Sequence, residues 1–93
     1  MTDNETGYNG YTNFETWNLN IWIQNDEGLY RYWLDEIKHA RDVSHLADML
    51  KEWVNDNNPL DTAGLYSDLL GAAIGSINFH EVASVLWNDF KDE

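Results

Sequence analysis

The chain contains three histidines, and two of them stand at helical spacing from a carboxylate. Asp35 and His39 are four residues apart, and Asp42 and His45 are three apart, so each pair could share one helix face. An imidazole and a carboxylate together can bind a divalent cation or transfer a proton. Neither pair belongs to an HExxH motif, and helix capping or surface ion pairing explains both spacings. The sequence therefore predicts no metal site.

Other motifs with catalytic chemistry are not found in the sequence. The G-x-S-x-G, Walker and dinucleotide-binding fingerprints are missing. The segment 56–61, DNNPLD, is similar to the start of a calcium-binding loop. It lacks the glycine at the sixth position and the glutamate at the twelfth that this geometry requires. The chain has no cysteine, which excludes disulfides and thiolate metal sites. We therefore predict a protein that is not an enzyme and that needs no cofactor.

The carboxylates are the better candidates for function. Asp48, Glu52 and Asp56 recur every four residues, which on an α-helix makes a row with steps of about 6 Å. That step is comparable to the distance between successive phosphates of a nucleic-acid strand. Four more carboxylates, on or beside the preceding predicted helix, complete the candidate partner-binding set: Glu27, Asp35, Glu36 and Asp42. The alternative interpretation is a solvated helix face, and Lys51 beside the row favours it.

The charge of the whole chain favours a basic partner. Its 93 residues include 17 acidic and 5 basic side chains, so the formal net charge is −12 at pH 7. Direct binding to DNA, RNA or an anionic membrane is disfavoured, because no basic patch could neutralise phosphates. No signal peptide and no apolar run of membrane-spanning length is visible. We therefore expect a cytoplasmic protein that binds a basic protein.

The elements that position these residues are predicted to be helices. Apolar residues recur at helical spacing in five segments, and strand-length alternation is not found. A chain that is 43% hydrophobic and 14% aromatic can form one folded core. The predicted fold class is all-α, a compact single-domain bundle of about five short helices over residues 12–93. Residues 1–11 are predicted to be a polar, partly mobile leader, with Tyr8 and Tyr11 docked onto the core or a neighbouring surface.

Capping residues and turn signals predict where each helix begins and ends. The first helix is predicted to be capped by Thr12, with Glu15 completing a capping box, and to end near Gln24. The later helices are predicted as follows: 27–40 capped by Asn25 or Asp26, 43–56 capped by Asp42 or Ser44, 62–76, and a fifth capped by Asn78 that frays at 91–93. Small residues between positions 71 and 75 predict that the fourth helix packs centrally against a neighbour.

Aromatic residues dominate the predicted first helix. Phe14, Trp17 and Ile21 recur at helical spacing, which predicts that they form its buried face. The alternative for this helix is a ligand site at polar residues of its first turns: Asn13, Glu15 and Asn18. Five tryptophans and five tyrosines exceed what so small a core hides. The candidates for exposed aromatic side chains are Trp22, Tyr32 and Trp87.

The N-terminal region also resembles a family signature. Residues 10–18, GYTNFETWN, match the pattern G-[YW]-T-N-[YF]-E-T-W-N, and residues 26–28, DEG, match the D-[EQ]-G element that follows a hydrophobic run. Proteins with this signature form a small, functionally uncharacterised family from phages and bacteria. The resemblance covers residues 9–30. It implies a mobile-element setting and a compact domain, but no activity and no catalytic residue.

Two hypotheses for function follow. The first is an acidic phage or mobile-element protein that blocks the basic nucleic-acid-binding surface of a host defence or DNA-processing protein, as a DNA mimic does. It would act in the host cytoplasm through the seven carboxylates named above. The second is a structural, assembly or adaptor module that binds a partner, or a second copy as a homodimer, through an exposed aromatic patch. A continuous acidic face with buried tryptophans favours the first, and an exposed aromatic patch favours the second.

Overall fold

Five α-helices make up the fold in a computed structural model, which describes residues 8–60 and 62–92. In chain order they are α1 Phe14–Asn25, α2 Glu27–Glu36, α3 Val43–Asp56, α4 Leu65–Gly75 and α5 Phe79–Lys91, with a 3₁₀ turn at Ile37–His39 after α2. The described residues contain no strand, and one isolated β-bridge joins Tyr8 and Tyr11. The predicted all-α class is confirmed.

The core lies between α3 and α5, and α1 and α2 close it. α3 and α5 form the most extensive helix pair, α1 packs against α2 and α5, and α2 also packs against α5. The buried apolar side chains are Ile23, Trp33, Leu34, Ile37, Leu46, Ala47, Leu50, Phe79, Val82, Ala83 and Leu86. α2, α3 and α5 supply most of them.

Three helix starts agree with the predicted caps. In each, the cap side-chain oxygen accepts from an amide three residues later: Asp26 from Leu29 N at 3.1 Å, Asp42 from His45 N at 2.8 Å and Asn78 from Glu81 N at 3.1 Å. These bonds satisfy amides that the first turn of a helix leaves unpaired. α3 has the predicted bounds. α2 is shorter than predicted, because the chain tightens into the 3₁₀ turn and Ala40 is extended.

The predicted start of the first helix is wrong by one residue. Asn13, rather than Thr12, is the N-cap of α1, and its Oδ1 accepts from Thr16 N at 2.9 Å. The predicted capping box of Thr12 and Glu15 is also wrong. The carboxylate that accepts from Thr12 N is Glu81 Oε1, at 3.1 Å, from α5.

The buried face of α1 differs from the predicted one. Thr16, Asn20 and Ile23 are buried, and they recur at helical spacing. Phe14 is 46% exposed and Trp17 is half-buried. The apolar periodicity was misleading because two buried positions are polar, and hydrogen bonds satisfy part of their polar groups.

Residues 8–11 form a tight turn that packs on α1. The backbones of Tyr8 and Tyr11 exchange hydrogen bonds of 2.8 and 2.7 Å. Between them Asn9 and Gly10 have φ of 48° and 88°, as an Asn-Gly type I′ turn requires. The Tyr8 ring lies 5.0 Å from that of Trp17, and Asn20 Nδ2 donates to the Tyr11 hydroxyl at 2.7 Å. The predicted docking of both tyrosines is confirmed. The predicted mobility falls on residues 1–7, outside the described part.

α4 departs most from prediction. It begins at Leu65 rather than at 62, and none of its residues is buried. Leu65, Tyr66 and Leu69 are 67%, 72% and 59% exposed. A β-carbon added at Gly71 or Gly75 would meet nothing within 4 Å. The predicted central packing of this helix is therefore wrong, since its small residues lie against open space.

Length and apolar composition also bear on membrane crossing. No single helix of the described residues is long and apolar enough to span a membrane. α4 and α5 reach these two criteria only as a pair that is bent by 54°.

Candidate protein-binding surface

Residues 12–16 join the N-terminus of α1 to that of α5. Thr16 Oγ1 donates to Asn13 Oδ1 at 2.6 Å and accepts from Asn78 N at 2.9 Å. Asn13 Nδ2 donates to Ser76 O at 2.7 Å, and Asn78 Nδ2 donates to Thr12 Oγ1 at 3.3 Å. Each helix thus supplies part of the other helix's cap. The polar side chains of Asn13 and Thr16 are engaged in this junction, so we assign them a structural role.

The Tyr11 hydroxyl lies close to this junction, and its pKa is perturbed. Burial raises the pKa of Tyr11 above the ordinary value of 10.0, and the negative charge of Glu81 raises it further. The hydrogen bond with Asn20 lowers the pKa, and Asp89 adds a small increase. The net shift is upward, so the folded protein holds this proton more tightly than a free tyrosine does.

An apolar groove of about 410 Å³ lies between α1, the C-terminal end of α3 and α4. On one wall α1 presents Phe14, Asn18 and Trp22, which are four residues apart and therefore share a helix face. The other walls include Trp53 and Val54 of α3 and Leu70, Ala73 and Ile74 of α4. Among the described residues that line the groove, Glu15 alone is charged.

Exposed apolar side chains continue along α4 beyond the groove, and we call Leu65, Tyr66 and Leu69 the outer face of α4. Trp22 is 68% exposed, and Leu65, Tyr66 and Leu69 are exposed as described above. α4 has only two charged or strongly polar residues, Ser67 and Asp68. A helix with so little polar surface is normally buried, yet no residue of α4 is buried. Large exposed apolar patches mark interaction sites on folded proteins.

A second concavity, of about 230 Å³, lies between α2 and α3, and we call it the acidic recess. Glu36, Glu52 and Asp56 line it, and no basic residue is among its described lining residues. Its walls include Tyr32, which is 48% exposed, and the indoles of Trp33 and Trp53. The three rings meet edge to face, with centroids of successive rings 5.3 and 5.6 Å apart. Carboxylates beside aromatic rings suit a lysine or arginine side chain.

Trp53 connects the two concavities. This residue lines both the apolar groove and the acidic recess, so the two concavities meet at this position of α3. Together they form one candidate protein-binding surface, with an apolar part and an anionic part.

The structure brings together three of the seven predicted carboxylates. Glu36, Glu52 and Asp56 meet in the acidic recess. Asp48 is exposed on α3, one turn before Glu52. Lys51, which sequence placed beside the row, lines a separate gap between α3 and α4. The local charge around Glu52 and Asp56 is therefore more uniformly negative than the sequence indicates.

The other three predicted carboxylates have partners within the chain. Arg31 Nε lies 3.2 Å from Glu27 Oε2, and Lys38 Nζ lies 3.3 Å from Asp35 Oδ1. Asp42 is the N-cap of α3. The Glu27–Arg31 and Asp35–Lys38 ion pairs lie in solvent, where such pairs are weak. They nevertheless reduce the net negative charge at these two positions.

The Asp42–His45 spacing has a structural explanation. His45 N donates to the Asp42 cap, and His45 Nδ1 accepts from Arg41 N at 3.0 Å. Asp35, Glu36 and His39 bring one possible ligand atom each within 4.8 Å of one another. Because Asp35 is paired with Lys38 and the group lies near the surface, geometry alone assigns no ion to it. The prediction of no metal site stays a prediction.

Sequence reasoning found two of the exposed aromatic residues, missed others such as Tyr66, and missed the groove. Trp22 and Tyr32 are exposed as expected, whereas Trp87 is half-buried. The signal for the groove was the composition of α4, which lacks the polar face that a surface helix usually carries. The position of the groove depends on how α4 lies beside α1, which no local pattern encodes.

Comparison with known proteins places the chain in a family. Neither the curated proteins nor the solved structures gave a match. A family model for proteins of unknown function matches residues 4–91, which is almost the whole chain. The chain therefore belongs to this family of unknown function, DUF7249.

Proposed function

We propose that the protein is an interaction module that binds a partner protein through the apolar groove and the outer face of α4. The observation that carries this proposal is the exposure of α4. An apolar helix with no buried residue keeps apolar surface in contact with water. Removing such surface from water is favourable by about 25 cal/mol per Å². Covering that area would stabilise a complex.

Trp22 is the side chain expected to contribute most to binding. Its indole stands beside the groove and is 68% exposed. Tryptophan is enriched among residues whose truncation weakens protein complexes by about 2 kcal/mol or more. Residues of this kind bind best where neighbouring apolar side chains exclude water, and apolar residues of α3 and α4, among them Val54 and Leu70, line the same groove.

A second candidate function is supported by the acidic recess. Glu36, Glu52 and Asp56 converge there without a basic neighbour in the lining, and the chain carries a net charge of −12. On this reading the protein is an acidic phage or mobile-element inhibitor that blocks the basic nucleic-acid-binding surface of a host protein. We rank it second, because Glu27, Asp35 and Asp42 have partners within the chain.

Affinity capture with matched variants tests the proposal. The bait is the wild type, Trp22→Ser, Leu69→Ser or His80→Ser, each incubated with lysate of the cell that makes the protein. His80→Ser is the control, because it removes an exposed ring of α5 that lines neither the groove nor the acidic recess. We expect at least one protein that wild type and His80→Ser capture and that the other two variants lose.

The same experiment separates the two functions. A protein that is lost only when Glu36, Glu52 and Asp56 are replaced by their amides favours the acidic inhibitor. If no captured protein depends on Trp22 or Leu69, the proposed function is wrong.

A further inference from the structure

We infer that the groove binds an amphipathic, positively charged helix of the partner, with its apolar side chains in the groove and a lysine or arginine in the acidic recess. This inference rests on the proposed function and names the chemistry of the partner. It follows from the length of the groove, from the charges around it and from the residues that a second copy of this chain would offer.

The length of the groove fits two turns of a helix. From Phe14 through Asn18 to Trp22 there are eight residue steps of α1, which is about 12 Å at 1.5 Å rise per residue. A helix that docks in a groove uses side chains at i, i+3 or i+4 and i+7, which span about 10 Å.

The charges favour a basic helix. Glu15 is the charged residue in the groove lining, and the acidic recess adjoins the groove at Trp53. A helix that lies in the groove and extends past Trp53 places its next side chains beside Glu52 and Asp56. An arginine or lysine there would meet carboxylates and the rings of Tyr32 and Trp53.

A second copy of this chain is a poorer occupant. It would bring the same net charge of −12, and the exposed apolar helix that it offers, α4, carries Asp68 and no basic residue. Like charges that face each other across an interface oppose association. Charge complementarity therefore points to a different, basic protein.

Labelled synthetic peptides of about 18 residues, or five helical turns, test the inference directly. The Leu/Lys peptide has a stripe of leucines along one helix face and lysines elsewhere. The Leu/Gln peptide has glutamine in place of each lysine. The third peptide has the composition of the Leu/Lys peptide, but its leucines are scattered around the helix. Binding is measured by fluorescence anisotropy at low salt. We expect the Leu/Lys amphipathic peptide to bind about tenfold or more tightly than either of the others.

Protein variants locate the bound peptide. Trp22→Ser should weaken binding about tenfold or more, and Leu70→Ser on the opposite wall provides an independent groove variant. Circular dichroism and the unfolding midpoint confirm that each variant folds. The recess triple variant Glu36→Gln, Glu52→Gln and Asp56→Asn should weaken binding and flatten its salt dependence.

A triple variant with the same change in net charge is the control for the recess. Asp26→Asn, Glu27→Gln and Asp92→Asn remove three negative charges from exposed positions outside the recess, and asparagine at position 26 keeps a good helix cap. We expect this control to bind the Leu/Lys peptide several-fold more tightly than the recess variant does. Equal affinities for the two triple variants would overturn the assignment of a cation to the recess.

Each remaining outcome supports or overturns a defined claim. If the Leu/Gln peptide binds as tightly as the Leu/Lys peptide and loses affinity with Trp22→Ser, the groove is a docking site but the basic occupant is wrong. If no peptide depends on Trp22 or Leu70, the proposed function fails as well. Sedimentation velocity of the protein alone completes the test, because a dimer that Leu69→Ser dissociates would identify a second copy as the occupant.

Discussion

Thr16 joins two helix N-termini through one hydroxyl group. It is fully buried, it donates to Asn13 in the cap of α1, and it accepts from Asn78 N at the start of α5. Asn78 is 62 residues away in sequence. Loss of the hydroxyl would remove both bonds, and each hydrogen bond typically contributes about 0.5–1.5 kcal/mol to stability.

Thr16→Val is predicted to lower the free energy of unfolding by about 1–3 kcal/mol. Valine keeps the volume of threonine, so the change reports the two hydrogen bonds. Thr12→Val is the matched control and should have a smaller effect, because the Thr12 hydroxyl is exposed and accepts one bond of 3.3 Å. Urea unfolding measures both. A larger loss for Thr12→Val would restore Thr12 as the principal cap of α1.

Tyr11 gives the stability of the protein a dependence on alkaline pH. Between pH 10.0 and its raised pKa, the folded protein holds the Tyr11 proton and the unfolded chain has lost it. The stability contributed by this group is therefore complete below pH 10.0 and falls as the pH rises through that interval. Tyr11→Phe should show a shallower loss of stability above pH 10.0 than the wild type. Parallel stability curves from urea unfolding would show that Tyr11 has no such role.

α4 is predicted to add little to the stability of the isolated chain. Leu69→Ala should change the free energy of unfolding by less than about 0.5 kcal/mol, as exposed substitutions usually do, since Leu69 is 59% exposed. Leu50→Ala is the same substitution at a fully buried position and should cost about 2–5 kcal/mol. Chemical denaturation of the two variants gives the comparison. Equal losses would mean that α4 is packed into the core.

α3 shows what local sequence can predict. Its cap Asp42, its buried stripe through Leu46 and Leu50, and its end before Pro59 all lie within or next to the helix. The signals are therefore complete within residues 42–59. The Asn9-Gly10 turn was equally readable, because that dipeptide favours positive φ at both positions, but it was interpreted only as part of a polar leader.

α1 and α4 show what local sequence could not predict. The buried face of α1 depends on Thr16 meeting Asn78 from the other end of the chain, so its aromatic periodicity pointed to the wrong face. The composition of α4 correctly indicates a helix that needs apolar cover, but it does not say whether the cover comes from the same chain. The meeting of Glu36 with Glu52 and Asp56 likewise depends on how α2 packs beside α3.

The net charge of −12 is predicted to limit the stability of the whole molecule at low salt. Glu52→Gln should raise the unfolding midpoint in dilute buffer, because Glu36 and Asp56 lie in the same recess and like charges repel. The gain should shrink as salt is added, since salt screens the repulsion. Glu27→Gln is the control, because it removes the partner of Arg31. A Glu52→Gln effect that is destabilising at every salt concentration would contradict this account of the recess.

Hydrogen exchange of the protein, alone and with the Leu/Lys amphipathic peptide, tests the central claim most directly. α4 has little packing against the other helices, so its amides should exchange quickly in the free protein through local opening. Amides in the middle of α3 and α5 should exchange slowly in both samples. Bound peptide should slow exchange in α4 and at the Trp22 end of α1, and leave the outer face of α2 unchanged. Amides of α4 that are as protected as those of α3 in the free protein, and that the peptide does not alter, would contradict the claim that α4 and the groove form a docking surface.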